Sequence, residues 1–113
     1  MVTETEGRYS WGLDERTALG LAMLTSWLDW LGIPYTVTSG YRSPERQAEL
    51  YAARASNPYP VAKPGTSRHE KRQAFDLDFP LDYWPFVEYL APFAGLAWGG
   101  RFTRPDPIHF ELA

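Results

Sequence analysis

The chain has 113 residues and a mass of 12.9 kDa, which provides one hydrophobic core and excludes a second domain of useful size. Cysteine is absent, which excludes disulfide bonds and thiolate zinc fingers. The formal charge of −3 provides no basic surface, so we expect no nucleic-acid partner.

The N-terminal residues 1–7 are polar, and we predict a disordered leader there, followed by a single domain over residues 8–113. The leader lacks the apolar stretch of a signal peptide. The most apolar window, Leu19 to Ile33, is interrupted by polar residues and falls short of the roughly 20 apolar residues that a membrane span requires. We therefore expect synthesis in the cytoplasm, no encoded export signal and no membrane insertion.

The first predicted helix begins after Asp14, a plausible N-cap, and runs from Glu15 to about Leu31, where Gly32 and Pro34 end it. Two apolar stripes predict a helix that is covered on most sides. They consist of Leu21, Leu24, Leu28 and Leu31, and of Met23, Trp27 and Trp30.

A short β-rich run over 35–39 follows, and Ser43 with Pro44 predicts the start of a second helix that ends near Ala55. Residues 57–67 contain three prolines and a glycine and are predicted to be a loop. Residues 73–79 then alternate in the pattern of a strand. Its polar face, which we expect to look into a site, carries Ala74, Asp76 and Asp78, and its apolar face carries Phe75, Leu77 and Phe79.

Asp82 is predicted to cap a third helix that reaches about Phe93, with Pro85 in its first turn. A glycine-rich stretch leads to a final strand over Ile108 to Leu112, with His109 and Glu111 on the face opposite the core. The order of elements predicts an α+β fold, in which about three helices pack on a small antiparallel sheet.

The chain has only two histidines, His69 and His109, and both lie among carboxylates. A catalytic zinc needs about three nitrogen or oxygen ligands and one open position. His69, Asp76 and His109 would supply that set if the last two predicted strands are neighbours. From these residues alone a second interpretation stays open, in which the histidines are ordinary loop and strand residues and the aspartates are caps or surface charges.

Three segments carry a resemblance to a known family. The segment from Ser67 to Asp76 resembles the signature Ser-x-His-x-x-Gly-x-Ala-x-Asp of the zinc D-alanyl-D-alanine peptidases of the VanY type and of the related phage L-alanyl-D-glutamate endolysins. The segments Ser39-Gly-Tyr-Arg42-Ser-Pro and Trp98-Gly-Gly followed by Pro105-Asp106-Pro-Ile-His109 resemble that family's other motifs. The segments occur in the family's order from about Val37 to Leu112, and the resemblance implies the hedgehog/DD-peptidase fold.

The resemblance also implies roles. His69, Asp76 and His109 would bind Zn²⁺, and Asp106 would be the catalytic base, although a plain turn residue between two prolines fits the local sequence as well. Arg42 would bind substrate and stabilise developing negative charge, unless it is a surface arginine that caps the next helix. Ser67 would orient substrate or only complete its loop.

Five further polar residues have open roles. Gln47 contacts the arginine loop or is a surface residue, Asp78 is a spare ligand or an outer acceptor, and Glu111 is predicted to accept from an imidazole N–H. Arg101 and Arg104 are expected to be solvated charges at the rim, with a grip on an anionic stem peptide as the alternative.

Two positions depart from the family pattern. Arg72 replaces the signature glycine, so we expect a different turn and an added charge near the metal. Arg101 stands where many relatives have aspartate, which bears on the choice of substrate.

The resemblance implies a zinc metallopeptidase that hydrolyses peptidoglycan stem peptides next to a D-amino acid. The small size favours an L-alanyl-D-glutamate endopeptidase of the endolysin type, acting as a monomer that a bacteriophage releases through a separate pore or carries in the virion. The alternatives are a D-alanyl-D-alanine carboxypeptidase, a non-catalytic zinc-containing module that binds the cell wall, and a metal-free structural domain of a phage particle.

Overall fold

The computed structural model describes residues 9–113, and the predicted leader lies outside the described residues. The helices are α1 (Glu15–Leu31), α2 (Pro44–Ala52) and α3 (Trp84–Leu90), and the strands are β1 (Thr36–Ser39), β2 (Ala74–Asp78), β3 (Leu96–Trp98) and β4 (His109–Leu112). The predicted α+β class with about three helices is confirmed. Within the described part of the chain, no helix has both the length and the apolar character that crossing a bilayer would require.

The four strands form one antiparallel sheet in the order β1-β2-β4-β3. Strands β2 and β4 are therefore the two central strands, and their register places Asp76 directly opposite His109. On the other face of the same pair, the fully buried rings of Phe75 and Phe110 stack with centroids 5.3 Å apart. The alternation of β2 and β4 thus separates a core face from a polar face.

Helix α1 begins and ends as predicted. The Asp14 carboxylate accepts a hydrogen bond of 2.9 Å from the Thr17 N–H, and Gly32 ends the helix in the left-handed conformation. Its inner face is buried, but Trp30 is 86% exposed and Leu31 is 42% exposed. The prediction of a helix covered on most sides is wrong, because its outer face, which carries Trp30 and Leu31, is open to solvent.

Three other boundaries differ from the prediction. Helix α2 ends at Ala52 and a 3-10 turn follows over Arg54–Ser56. Asp82 lies inside a 3-10 turn and does not cap α3, which ends at Leu90 and continues as a 3-10 turn. Strand β3 was not predicted, because three residues are too few to show alternation and only pairing with β4 defines the strand.

Arg72 adopts the left-handed conformation, with φ of 64°, although it is not glycine. The turn therefore keeps the backbone that a glycine would suit. The guanidinium donates a 2.8 Å hydrogen bond to the Gly12 carbonyl and lies 3.7 Å from the centroid of the Tyr41 ring. These contacts hold the Arg72 guanidinium against Tyr41 and the segment that precedes α1.

Two substitutions separate the strain at Arg72 from its contacts. Arg72→Ala keeps the unfavourable φ and loses both contacts, so we expect the free energy of unfolding to fall by about 1–3 kcal/mol. Arg72→Gly loses the same contacts but relieves the strain, so it should be about 1 kcal/mol more stable than the alanine variant. Urea denaturation of the three proteins measures both differences, and equal stability of the two variants would contradict the strain.

Candidate metal centre

A cleft of about 740 Å³ lies on the polar face of the sheet. His69 enters it from the turn before β2, Asp76 from β2 and His109 from β4. One ligand atom of each residue lies within 4.8 Å of the others, so the three residues form a group that could hold a metal ion. Asp76 and His109 converge because β2 pairs with β4, which is the condition that the sequence analysis set for this ligand group.

Asp76 lies between the two imidazoles. Its Oδ1 is 3.3 Å from His69 Nε2 and 3.6 Å from His109 Nδ1, and the two rings meet edge to face with centroids 5.2 Å apart. His69 is buried, whereas the side chains of Asp76 and His109 are 14% and 12% exposed. The group is therefore mostly buried, and the cleft that all three residues line gives access to it.

The outer nitrogen of each imidazole has a partner that selects the tautomer. His69 Nδ1 lies 2.9 Å from the Gly40 carbonyl, which can only accept, so this nitrogen donates and Nε2 faces Asp76. His109 Nε2 lies 2.8 Å from Glu111 Oε1, which leaves Nδ1 facing Asp76. Oriented imidazoles with one carboxylate are a typical ligand set for zinc, so the residues present fit that ion.

Arg42 is held inside the cleft by three neighbours. Its guanidinium donates to Asp76 Oδ2 at 3.2 Å, to the Ser39 hydroxyl at 2.8 Å and to Gln47 Oε1 at 3.0 Å. Gln47 is 1% exposed and donates to the Ala62 carbonyl at 2.7 Å. Gln47 therefore contacts the arginine, and the alternative of a surface arginine capping α2 is wrong, because the Ser43 hydroxyl makes that cap.

Asp106 lies in the loop before β4 and lines the same cleft. Its backbone is fixed by bonds from its N–H to the Gly99 carbonyl and from the His109 N–H to its own carbonyl. Its Oδ1 is buried and has no hydrogen-bond partner among residues 9–113. Burial raises the pKa of the Asp106 carboxyl. A partly buried carboxylate with a free oxygen is thus available to exchange a proton within the cleft.

Ser67 is buried beside these groups, and its hydroxyl accepts a 3.2 Å hydrogen bond from the His69 N–H. The hydroxyl thus completes the turn that presents His69. It also lines the cleft, so the structure leaves it within reach of a ligand.

The protonation of the cluster follows from burial and from close partners. Burial opposes the charge on Asp76, but hydrogen bonds from His109 and His69 outweigh it and hold the pKa of Asp76 well below its usual range. Burial likewise opposes the imidazolium, but the hydrogen bonds to Asp76 and Glu111 raise the pKa of His109 to about 9. The hydrogen bond with His109 lowers the pKa of Glu111.

Metal binding should therefore release a proton near pH 7. The metal-free protein carries His109 as imidazolium below its pKa of about 9, and a cation must displace that proton to reach Nδ1. We expect close to one proton released per Zn²⁺ at pH 7, and an affinity that rises by up to about tenfold per pH unit until pH 9. Calorimetry in buffers of different ionisation enthalpy measures the release, and none at pH 7 would contradict this protonation state.

Arg68 takes part in the site and was not predicted. Its guanidinium lies 3.3 Å from Glu111 Oε2 and donates to the Leu112 carbonyl at 2.7 Å, while Glu111 Oε1 holds His109. Arg68 therefore orients a ligand on β4 from the turn that carries His69. The sequence offers no signal for this role except the position of Arg68 next to His69, because its partners are far along the chain.

The contact chain from Arg68 to His109 predicts the effect of Glu111→Gln. The amide keeps the shape of the side chain but loses the charge that binds Arg68 and orients the imidazole, so we expect the affinity for Zn²⁺ to fall by about 10- to 100-fold. Competition with a chelating dye measures this. Glu49→Gln, at an exposed glutamate paired with Arg46 on α2, is the matched control and should leave the affinity unchanged.

Two predicted candidates lie outside the cluster. Asp78 is exposed and pairs with Thr36 of β1, so it is neither a spare ligand nor an acceptor for the histidines. Arg101 forms an ion pair with Glu88 and lies 4.9 Å from the Trp84 ring, so its charge is already paired at the surface, and it does not line the cleft. Arg104 lines the cleft.

Neither a protein-family model nor a curated protein matches this sequence. Solved structures do match. A variant of the vancomycin-resistance D,D-pentapeptidase VanY, in complex with Zn(II), is 21% identical with a TM-score of 0.73 over 99% of this chain and 78% of that chain. The L-Ala D-Glu endopeptidase ChiX of Serratia marcescens is 24% identical with a TM-score of 0.66 over 90% and 81%.

The LD-carboxypeptidase LdcB is 19% identical with a TM-score of 0.75 over 100% of this chain and 84% of that chain. These likenesses confirm the predicted fold. The chain has the hedgehog/DD-peptidase fold that VanY-type D,D-peptidases share with L-Ala-D-Glu endopeptidases and LD-carboxypeptidases.

Proposed function

We propose that this chain is a zinc-dependent peptidase that hydrolyses peptidoglycan stem peptides next to a D-amino acid. The observation that carries the proposal is the convergence of His69, Asp76 and His109 in one cleft with a free carboxylate oxygen of Asp106. The fold supports it, because the matched structures are named as peptidases of D,D-, L,D- and L-Ala D-Glu bonds.

Zn²⁺ held by His69, Asp76 and His109 would supply a Lewis acid that activates water and polarises the scissile carbonyl. Asp106 would take the proton of the attacking water and deliver it to the leaving amine. Its raised pKa suits both steps, because a weaker acid is a better base and still gives up the proton to an amine. The proline on each side of Asp106 and its two backbone hydrogen bonds fix the carboxylate in place.

Arg42 would bind the substrate and stabilise the negative charge that develops on the carbonyl oxygen. Its guanidinium is positioned by Gln47 and Ser39 before any substrate arrives, and such preorganisation is what makes a donor effective in the transition state. Ser67 would orient the peptide with its hydroxyl proton, since its oxygen already accepts from the His69 N–H.

Among the possible bonds, we propose the L-alanyl-D-glutamate bond, which makes the chain an endopeptidase of the endolysin type. An endopeptidase requires a cleft that continues on both sides of the scissile bond. Here the cleft extends past the metal ligands into a second hollow between residues 57–61 and 103–105. The activity on the cell wall, release through a phage pore or delivery in a virion, and the monomeric state belong to the same proposal.

Digestion of purified peptidoglycan in the presence of Zn²⁺, followed by mass analysis of the fragments, tests this function. Stem peptides that begin with D-glutamate are expected. Release of free D-alanine would instead identify the carboxypeptidase that is our second candidate. One bound zinc without any product would identify a non-catalytic wall-binding or virion module, and no zinc with no product would contradict the proposal entirely.

A further inference from the structure

The second hollow is an extension of the metal cleft. It has a volume of about 620 Å³ and shares part of its wall with the cleft, including Tyr59, Val61 and Arg104. The loop on one side is stiffened by Pro58 and Pro60 and by a 2.9 Å hydrogen bond from the Tyr59 N–H to the Asn57 side chain. A peptide seated at the metal ligands can therefore continue into a preformed space.

The charge of this hollow is opposite to that of the whole chain. Its wall contains two guanidinium groups, Arg54 and Arg104, and no carboxylate among the described residues that line it, whereas the chain has a net charge of −3. Arg54 is held 4.0 Å above the Tyr51 ring and donates to the Tyr51 carbonyl, so its charge stays in place. The hollow favours an anion.

Among the arginines that line the metal cleft, Arg104 is the one whose guanidinium is available to a ligand. The other arginines of the metal cleft have carboxylate partners: Arg42 pairs with Asp76, Arg46 with Glu49 and Arg68 with Glu111. Arg104 has no ion-pair or hydrogen-bond partner among residues 9–113 and stands where the cleft and the hollow meet. A charge that no protein group neutralises is free to pair with a ligand.

We propose that Arg104 binds a carboxylate of the stem peptide and so determines which peptides the site accepts. This inference rests on the proposed function and adds the charge of the substrate to it. A planar guanidinium forms two parallel hydrogen bonds with a carboxylate but not with a carboxamide, so a peptide with an amidated carboxyl group should bind less well.

The test uses synthetic stem peptides in which each free carboxylate is converted to a carboxamide in turn. We expect one amidation to lower kcat/KM of the wild-type protein by about tenfold, the size of one charge-assisted hydrogen bond at an exposed site. Arg104→Gln should lose the wild-type preference for that carboxylate, and Arg104→Lys should retain part of it. Arg16→Gln, at an exposed arginine on α1 away from the cleft, should behave as wild type.

Calorimetric binding of the same peptides to the Asp106→Ala protein, with and without the additional substitution Arg104→Gln, gives a second readout that does not need turnover. If cleavage fails while binding still discriminates the amidated peptide through Arg104, the proposed function is wrong and the anion site stands. If the peptides are cleaved and the amidation penalties are the same in wild type and Arg104→Gln, the anion site is wrong. Equal affinities of all peptides for the Asp106→Ala protein and for the Asp106→Ala/Arg104→Gln protein would also overturn the anion site.

Discussion

Replacement of Asp106 by alanine is expected to lower kcat/KM for the stem peptide by about 10²- to 10⁴-fold, the range for loss of a general acid–base group. The carboxylate is the group in the cleft with a buried, unpartnered oxygen, and it is not part of the three-residue ligand group. Zinc content, by elemental analysis, should therefore remain at one equivalent. The pH profile of the residual activity should lose the limb that the Asp106 carboxyl controls.

Asp106→Asn distinguishes proton transfer from packing, because it keeps the shape of the side chain and removes only the ability to accept the proton. It should be as inactive as the alanine variant. Asp82→Ala, at an exposed aspartate in the 3-10 turn before α3, is the control and should retain wild-type activity. Full activity in Asp106→Asn would show that another group moves the proton.

Asp76→Asn is expected to have the larger effect, because it removes the charge on which the whole cluster depends. Asp76 faces both histidines and Arg42, so an amide leaves the half-buried guanidinium without its carboxylate and removes an anionic ligand. We expect the affinity for Zn²⁺ to fall by more than about 100-fold, beyond the loss for an outer partner such as Glu111, and hydrolysis to become undetectable.

A second aspartate on the same strand, Asp78, offers a matched control for this experiment. Asp78 lies two residues further along β2, is exposed and makes its strand contact with Thr36, so Asp78→Asn should bind Zn²⁺ as the wild type does. Dye competition gives the affinities, and circular dichroism checks that each variant is folded. Equal zinc affinity in Asp76→Asn and wild type would contradict the ligand set.

The sequence predicted those features of the fold that depend on local signals, such as a capping residue or an alternation of polar and apolar residues. Asp14 and Gly32 determine the two ends of α1, and the alternation in residues 74–79 determines which side of β2 is buried. Features that depend on distant contacts were missed or misjudged. Strand β3 exists through its pairing with β4, and the exposure of Trp30 depends on which side of α1 the sheet covers.

The same distinction between local signals and distant contacts applies to the candidate site. Strand alternation made the approach of Asp76 and His109 predictable if their strands are neighbours, and the resemblance to the peptidase family indicated the full set with His69. The partners that orient these groups were harder to predict, because each contact joins separate parts of the chain. The Gly40 carbonyl that selects the His69 tautomer and the Arg68 contact with Glu111 are such cases. The positive φ of Arg72 was not predicted, because arginine, unlike the glycine of the family signature, does not signal that conformation.

The central position of β2 and β4 has a consequence for metal exchange. Two of the three ligands belong to interior strands, whose backbone hydrogen bonds on both sides exist whether or not a cation is bound. Sheet pairing therefore offsets the conformational entropy lost in ordering Asp76 and His109. A chelator should strip the ion and leave slow amide-hydrogen exchange in these strands, so that cobalt can be inserted afterwards as a spectroscopic probe without refolding the protein.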